Sequence, residues 1–183
     1  MRVLAIAGSL RKGSFNRMLV QEAARLAPDG VEVTEWGELA DVPPFDEDVE
    51  GQGAPSVTSL LAAIADADAV LVATPEYNGS TPGQLKNALD WASRPFPDNV
   101  LRDKPAAVIG TSPSPAGAER SQGETRAVLR RIGAQVLDRA APLPTAHERF
   151  DDDGRLQDDE AHAEVRAVLD ELVGLVEKNR AAV

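Results

Sequence analysis

The sequence has 183 residues, contains no cysteine and carries a formal net charge of −11 at pH 7. Its length is ordinary for one domain, and the lack of cysteine excludes disulfides, thiolate metal sites and a cysteine nucleophile. The acidic balance argues against a surface that binds DNA or RNA, because such surfaces need clustered Lys and Arg. No apolar run approaches the roughly 20 residues that span a bilayer, and residues 3–7 lack the length and cleavage pattern of a signal peptide. We therefore expect a cytoplasmic protein without membrane or nucleic-acid partners, in which residues 1–183 form one domain.

The first half of the chain alternates short apolar runs with helical patterns. Residues 3–7 and 69–73 are continuous apolar runs, typical of strands covered on both faces of a sheet. A more polar strand at residues 31–35 fits a place near a sheet edge. Apolar side chains recur at helical spacing from residue 15 to 26 and from residue 57 to 64, so a helix is predicted between successive strands.

The second half of the chain continues this alternation. A helix is predicted after Pro82, because proline is favoured in a first turn and apolar residues repeat at helical spacing up to Ala92. Further predicted elements are a strand at residues 105–110, a helix carrying Val128, Leu129 and Ile132, a fifth strand at 135–137 and a closing helix over 165–176. Predicted irregular segments are residues 43–48, 111–117 and the acidic connection 151–160, expected to be a solvated loop. This order predicts an α/β protein, a flavodoxin-like three-layer sandwich with a five-stranded parallel sheet in the order 2-1-3-4-5.

Residues 8–16, Gly-Ser-Leu-Arg-Lys-Gly-Ser-Phe-Asn, follow the first strand and open a helix. Arg11 and Lys12 supply local positive charge, and helix amides point to the same place, as a terminal phosphate requires. Short polar side chains are added by Ser9, Ser14 and Asn16. The segment is neither G-x-G-x-x-G nor a Walker loop, so a mononucleotide fits better than a dinucleotide. The alternative is purely structural, with Ser14 as a helix cap, Gly13 in a turn and Arg11 solvated.

Residues 75–83, Pro-Glu-Tyr-Asn-Gly-Ser-Thr-Pro-Gly, follow the third strand. The prolines and glycines restrict or free the backbone at fixed places, and Tyr77 offers a flat face. Such a loop suits a planar heterocycle, whose nitrogens and carbonyls the backbone amides can bind. The alternative is a simple turn into a helix capped by Ser80 or Thr81.

The two segments resemble the G-S-x-R-x-x-S-x-N and P-E-Y-N-x-S-x-P-G-x-L-K-N-A-x-D-W signatures of NADPH-dependent FMN reductases, and the second runs unbroken over residues 75–91. Residues 43–48, and residues 117–122 before the fourth helix, also resemble loops of that family. The resemblance implies FMN as cofactor and NADPH or NADH as reductant. It implies that Ser9, Arg11, Ser14, Phe15 and Asn16 hold the phosphate and ribityl chain, that Pro75, Glu76, Tyr77, Asn78 and Gly79 border the isoalloxazine, and that Ser112 is a third contact.

The same resemblance implies a ping-pong reaction, in which FMN accepts a hydride at N5 and then reduces a quinone-like, azo, metal-oxyanion or flavin acceptor. The cofactor performs this chemistry, so no catalytic side chain is assigned. Glu76 is either a proton donor or part of a surface or intersubunit ion pair. His147, placed in a loop, and His162, on a surface helix, are not expected to be catalytic, and no metal site is predicted.

The family also implies a homodimer or a dimer of dimers with the flavin near the subunit boundary. Tyr77 and Trp91 are candidate interface aromatics, although Trp91 also fits an ordinary core position. Two other functions stay open. One is a flavodoxin-type electron carrier without nicotinamide turnover, which the acidic charge permits but the Arg11 and Asn16 loop disfavours. The other is a regulatory module in which flavin is only sensed.

Overall fold

The computed structural model describes residues 1–182, which fold around one parallel sheet. Its strands are β1 (Arg2–Ala7), β2 (Glu32–Glu35), β3 (Ala69–Ala73), β4 (Pro105–Thr111), β5 (Gln135–Val136) and β6 (Pro142–Leu143). The order β2-β1-β3-β4-β5 confirms the predicted one. The short strand β6, which the sequence pattern did not indicate, pairs with the last two residues of β4 beyond the end of β5.

Helices cover both faces of the sheet, which confirms the three-layer sandwich. They are α1 (Phe15–Leu26), α2 (Pro55–Asp66), α3 (Gly83–Ala92), α4 (Glu119–Ile132), α5 (Ala146–Arg149) and α6 (Asp159–Ala181). The buried faces of α1 and α6 share one apolar cluster, whereas α2, α3 and α4 pack into the cluster on the other side. No helix in residues 1–182 is long and apolar enough to cross a membrane.

The central strands explain the continuous apolar runs. In β1, Val3 and Ala5 face the α1–α6 side, while Leu4 and Ile6 face the α2–α3–α4 side. Because side chains alternate across a strand, burial on both faces requires an apolar residue at every position. Within the described residues strand β2 pairs with β1 alone, and its side chains are exposed or half-buried, as expected at an edge.

Several segments differ from the sequence-based expectation. Residues 43–48 were predicted to be irregular, but Leu39–Asp41 before them and Glu47–Val49 at their end form short 3₁₀ turns. Residues 117–122 do not precede the fourth helix, because α4 begins at Glu119. His147 lies on the four-residue helix α5 and not in a loop.

The acidic connection is more ordered than a solvated loop. Phe150 and Leu156 pair across it through an isolated β-bridge, and both side chains are buried. Asp158 then accepts a hydrogen bond from the Ala161 amide at 2.8 Å and caps α6. The last residues of the predicted loop are therefore the first turn of α6, where carboxylates also complement the helix dipole.

Candidate active site at the carboxyl edge of the sheet

The loops that follow β1, β3 and β4 meet at the carboxyl edge of the sheet, around a hollow of about 90 Å³. Its lining comprises Ser9, Arg11, Ser14, Phe15, Asn16, Pro75, Glu76, Tyr77, Thr111, Ser112 and Pro113. Nine of the eleven sequence-predicted site residues are in this set, and the other two, Asn78 and Gly79, lie at the tip of the loop after β3. Larger hollows, such as one of about 520 Å³ beside the C-terminal end of α3, contain none of the predicted residues.

Two lining residues, Thr111 and Pro113, were missed by the sequence analysis. Thr111 was assigned to a loop, but it is the last residue of β4. Its position next to Ser112 was the only signal in the sequence. Neither His147 nor His162 lines the hollow. Among residues 1–182 there is no cluster of side chains that could hold a metal ion.

The N-terminus of α1 forms one wall of the hollow. The Ser14 hydroxyl caps the helix by accepting a hydrogen bond from the Arg17 amide at 3.3 Å. The amides of Phe15 and Asn16, at the first two helical positions, have no acceptor within residues 1–182. Such amides point out of the helix start and, with the helix dipole, attract an anion.

Positive charge lies beside these amides. The Arg11 guanidinium donates to the Gly13 carbonyl at 2.8 Å, which folds the side chain back over its own loop. In the described part of the chain, no carboxylate lies within 4 Å of Arg11 or Lys12. The strongly acidic protein therefore carries unneutralised cations at this edge of the sheet.

Asn16 is only 3% exposed, and both polar atoms of its side chain are hydrogen-bonded. Its Nδ2 donates to the Thr111 carbonyl at 2.9 Å, and its Oδ1 accepts from the Thr111 amide at 3.1 Å. The side chain therefore fixes the end of β4 to the start of α1. What Asn16 can offer a ligand is its backbone amide.

The loop after β3 contains a tight two-residue turn. Tyr77 and Ser80 exchange backbone hydrogen bonds of 3.1 Å, and the residues between them, Asn78 and Gly79, have φ values of 54° and 78°. Positive φ at both central positions is the type I′ turn, which Asn-Gly favours. The amides of Glu76, Asn78 and Gly79 have no acceptor within residues 1–182, so they are available at the tip.

Tyr77 joins the first two loops. The residue is 48% exposed, and its hydroxyl lies 3.1 Å from the Ser9 hydroxyl. The other candidate interface aromatic, Trp91, is only 4% exposed and donates from its indole N–H to the Pro43 carbonyl at 2.9 Å. Trp91 is therefore a core residue of this chain, whereas Tyr77 presents a flat apolar surface beside the hollow.

The contact that Glu76 makes in this chain was not among the roles considered from the sequence. Its Oε2 accepts hydrogen bonds from the amides of Arg120 and Ser121, at 3.1 and 3.3 Å. These amides belong to the first turn of α4, so the carboxylate caps a helix that is distant in sequence. No cationic side chain lies within 4 Å of Glu76 in the part of the chain that the structure describes.

The loop after β4 forms the third wall. The Ser112 hydroxyl donates to the Ser114 hydroxyl and accepts from the Ser114 amide, both at 3.1 Å. Gly117 has φ of +56°, and a Cβ there would lie 2.8 Å from the Leu143 amide nitrogen. The loop can thus pass over β6 only because residue 117 has no side chain.

The model of the NADPH-dependent FMN reductase family matches residues 1–148. The chain belongs to this family. A NAD(P)H-dependent FMN reductase of Pseudomonas aeruginosa is 41% identical over 173 residues, which cover 93% of this chain and 92% of the relative. A quinone reductase of Escherichia coli is 41% identical over 141 residues, 76% of this chain and 74% of that protein.

A solved structure has the same architecture. FerB, a flavoenzyme NAD(P)H:(acceptor) oxidoreductase from Paracoccus denitrificans, superposes with a TM-score of 0.88 at 36% identity, covering 97% of each chain. As a member of the FMN reductase family, this chain is an oxidoreductase that uses FMN and takes electrons from NAD(P)H.

Proposed function

We propose that the hollow binds FMN as a resident cofactor, with the phosphate at the start of α1 and the ring system beside Tyr77. The proposed contacts are Ser9, Arg11, Ser14, Phe15 and Asn16 for the phosphate end, Pro75, Glu76, Tyr77, Asn78 and Gly79 for the ring, and Ser112 from the third loop. The observation that carries this proposal is the pair of amides at Phe15 and Asn16, without an acceptor within residues 1–182, next to an Arg11 that has no carboxylate partner in the same residues.

The donor set fits the phosphate. A phosphate monoester brings nearly two negative charges into a protein of net charge −11, so it needs local compensation. Arg11, Lys12 and the two helix amides supply this compensation, and the hydroxyl of Ser9 adds a donor. Asn16 contributes through its amide, because its side chain is bound to Thr111.

The donor set also fits the ring system. A hollow of about 90 Å³ has room for the phosphate end but not for a tricyclic ring, which must extend over the open rim. There it meets the free amides of Glu76, Asn78 and Gly79, which are hydrogen-bond donors for ring nitrogens and carbonyls. Tyr77 provides an apolar surface at the same rim.

We further propose that the enzyme works by a ping-pong mechanism with a quinone-like acceptor. Bound FMN would supply the redox chemistry, taking a hydride from NAD(P)H and passing two electrons to the acceptor. The chain positions the ring and leaves one side open, so that reductant and acceptor use it in turn. Glu76 is committed to α4, so no side-chain acid is assigned, and quinone protons come from water.

Similar proteins support the choice of acceptor. The Escherichia coli relative is named a quinone reductase, and a Burkholderia relative that is 32% identical over 181 residues is named a 2-hydroxy-1,4-benzoquinone reductase. Azo compounds, metal oxyanions and free flavin complete the acceptor classes of the proposal. We also propose a cytoplasmic protein whose residues 1–183 form one FMN-binding domain, and a homodimer or dimer of dimers in which a second copy lies near the open rim.

Titration of the flavin-free protein with FMN, followed by quenching of flavin fluorescence, tests the cofactor site. Steady NAD(P)H oxidation that requires both FMN and a quinone is the expected result for the enzyme. Binding of FMN without steady oxidation would instead identify an electron carrier or a flavin sensor. Parallel lines in double-reciprocal plots against both substrates test the ping-pong order, and intersecting lines would contradict it.

A further inference from the structure

A second carboxylate joins the loop after β3 to α4. It belongs to the helix, whereas Glu76 belongs to the loop. Glu124, in the second turn of α4, accepts hydrogen bonds from the Ser80 hydroxyl at 2.6 Å and from the Thr81 amide at 3.0 Å. Thr81 precedes Pro82, the N-cap of α3. The loop and the helix therefore exchange carboxylate contacts. Glu76 of the loop caps the start of α4, and Glu124 of α4 accepts hydrogen bonds from the end of the loop.

Hydroxyl groups reinforce the same contact. The Thr81 hydroxyl lies 3.0 Å from that of Thr125, and the Thr74 hydroxyl lies 2.8 Å from that of Ser121 in a buried contact. Thr74 directly precedes the loop, and Thr81 is near its end. Both ends of the loop are consequently attached to the first two turns of α4.

Glu124 stays charged at neutral pH. The hydrogen bond from Ser80, and then that from the Thr81 amide, lower the pKa of the Glu124 carboxyl below its ordinary value, although desolvation acts in the opposite direction. Hydrogen bonds to an ionised acceptor are stronger than those to a neutral one. The contact with the loop therefore depends on the carboxylate form.

We propose that Glu124 is a positioning residue for residues 75–81, holding the Asn78–Gly79 turn where its free amides meet the flavin ring. The inference rests on the proposed FMN site. Glu124 does not line the hollow, so it acts through Ser80 and Thr81 and not by touching the cofactor.

The loss of the Glu124 charge and the loss of its contact with the loop should change the affinity for FMN in opposite directions. Removing an acidic side chain near an anionic ligand favours binding of that ligand, because repulsion falls. Loss of the contact with the loop has the opposite effect, because the amides are no longer held in place. Glu119 is a matched control, since it lies on the same helix, is exposed, and makes no side-chain hydrogen bond or ion pair within residues 1–182.

Flavin-free wild type, Glu124→Gln and Glu119→Gln are titrated with FMN and with riboflavin. We expect the dissociation constant of Glu124→Gln to rise roughly 5- to 20-fold, since hydrogen bonds to a charged group are weakened. The rise should be at least as large for riboflavin as for FMN, because the loop serves the ring, and the lost charge repelled only the phosphate. Glu119→Gln should bind FMN as tightly as wild type or more tightly.

A direct readout is hydrogen exchange at the Thr81 amide in the flavin-free protein. Exchange should be faster in Glu124→Gln than in Glu119→Gln, while the two variants unfold at similar temperatures. Ser80→Ala removes the hydroxyl donor and should weaken flavin binding in the same way, with less than additive effects in the double variant. Ser80→Ala also carries the test if Glu124→Gln does not fold.

The outcomes separate this inference from the proposed function. Failure of the wild type to bind FMN overturns both. Binding by the wild type with unchanged dissociation constants in Glu124→Gln and Ser80→Ala overturns the positioning role alone. A loss confined to FMN, with riboflavin unaffected, also overturns it, because it would place the effect at the phosphate.

Discussion

Replacing Arg11 with Gln should weaken the binding of FMN without affecting the binding of riboflavin. Arg11 has no carboxylate partner in the described chain, and the one hydrogen bond that its side chain makes there is to the Gly13 carbonyl, so its charge is available to the phosphate. Riboflavin has the same ring and ribityl chain but no phosphate. The two ligands therefore separate the charged contact from every other contribution.

The magnitude follows from the exposure of the side chain. Two unit charges 4 Å apart interact by about 1 kcal/mol in water and about 4 kcal/mol at an effective dielectric constant of 20. Arg11 is exposed, so solvent screening keeps the interaction near the lower value, even with a phosphate of nearly two charges. We expect a loss of about 1–2 kcal/mol, equivalent to a 5- to 30-fold rise in the dissociation constant for FMN.

Isothermal titration calorimetry at two salt concentrations measures this effect. The difference between wild type and Arg11→Gln should shrink as the salt concentration rises, because screening removes the same interaction. Arg155→Gln, which removes an exposed cation outside the hollow, is the control. An equal loss of FMN and riboflavin affinity in Arg11→Gln would refute the placement of the phosphate beside Arg11.

Three further predictions concern stability. Asn16→Ala leaves the amide and carbonyl of Thr111 without partners at a buried position, so the free energy of unfolding should fall by about 3 kcal/mol. A fall of under about 0.5 kcal/mol in urea unfolding would contradict this prediction. Gly117→Ala should lower the free energy of unfolding by about 2 kcal/mol or more, because residue 117 has positive φ and a Cβ there would meet the Leu143 backbone. Gly174→Ala, in open space on α6, should raise the free energy of unfolding by up to about 1 kcal/mol. Thermal unfolding tests whether the two shifts have opposite signs. The hydrogen bond from the Arg2 amide, and then Arg180, lower the pKa of the Asp68 carboxyl below 3.8. Its contribution to the free energy of unfolding is therefore complete above that pH and is lost as the pH falls through the lower pKa of the folded state. The free energy of unfolding of Asp68→Asn should fall less steeply with acid than that of the wild type, and an unchanged dependence on pH would count against the contact.

The order of the sheet was predictable because its central strands leave a strong signal. Every residue of β3 is buried, so residues 69–73 had to be apolar without interruption. Strand β6 left no such signal, since it has only two residues and exists because the chain returns to β4 over Gly117. The boundary of β4 was missed by one residue, and for that reason Thr111 was assigned to a loop.

The site was predictable in position but not in its internal contacts. Strand ends and helix starts placed residues 8–16 and 75–83 at one edge of the sheet, where the structure has them. The bond of Asn16 to Thr111 joins residues 95 apart in sequence, and that of Glu76 to the start of α4 joins residues 44 and 45 apart. No local pattern encodes such pairs, because they depend on where the crossover helices set the loops relative to one another.

Hydrogen bonds between the loops around the hollow hold these loops in place relative to one another. Ser9 is joined to Tyr77, Asn16 to Thr111, and the loop after β3 to the helix that follows β4. Because these hydrogen bonds join protein groups to one another and do not involve the cofactor, we expect association to cost little conformational entropy. Capture of the cofactor should accordingly be fast, with an association rate set by diffusion and charge and not by loop rearrangement.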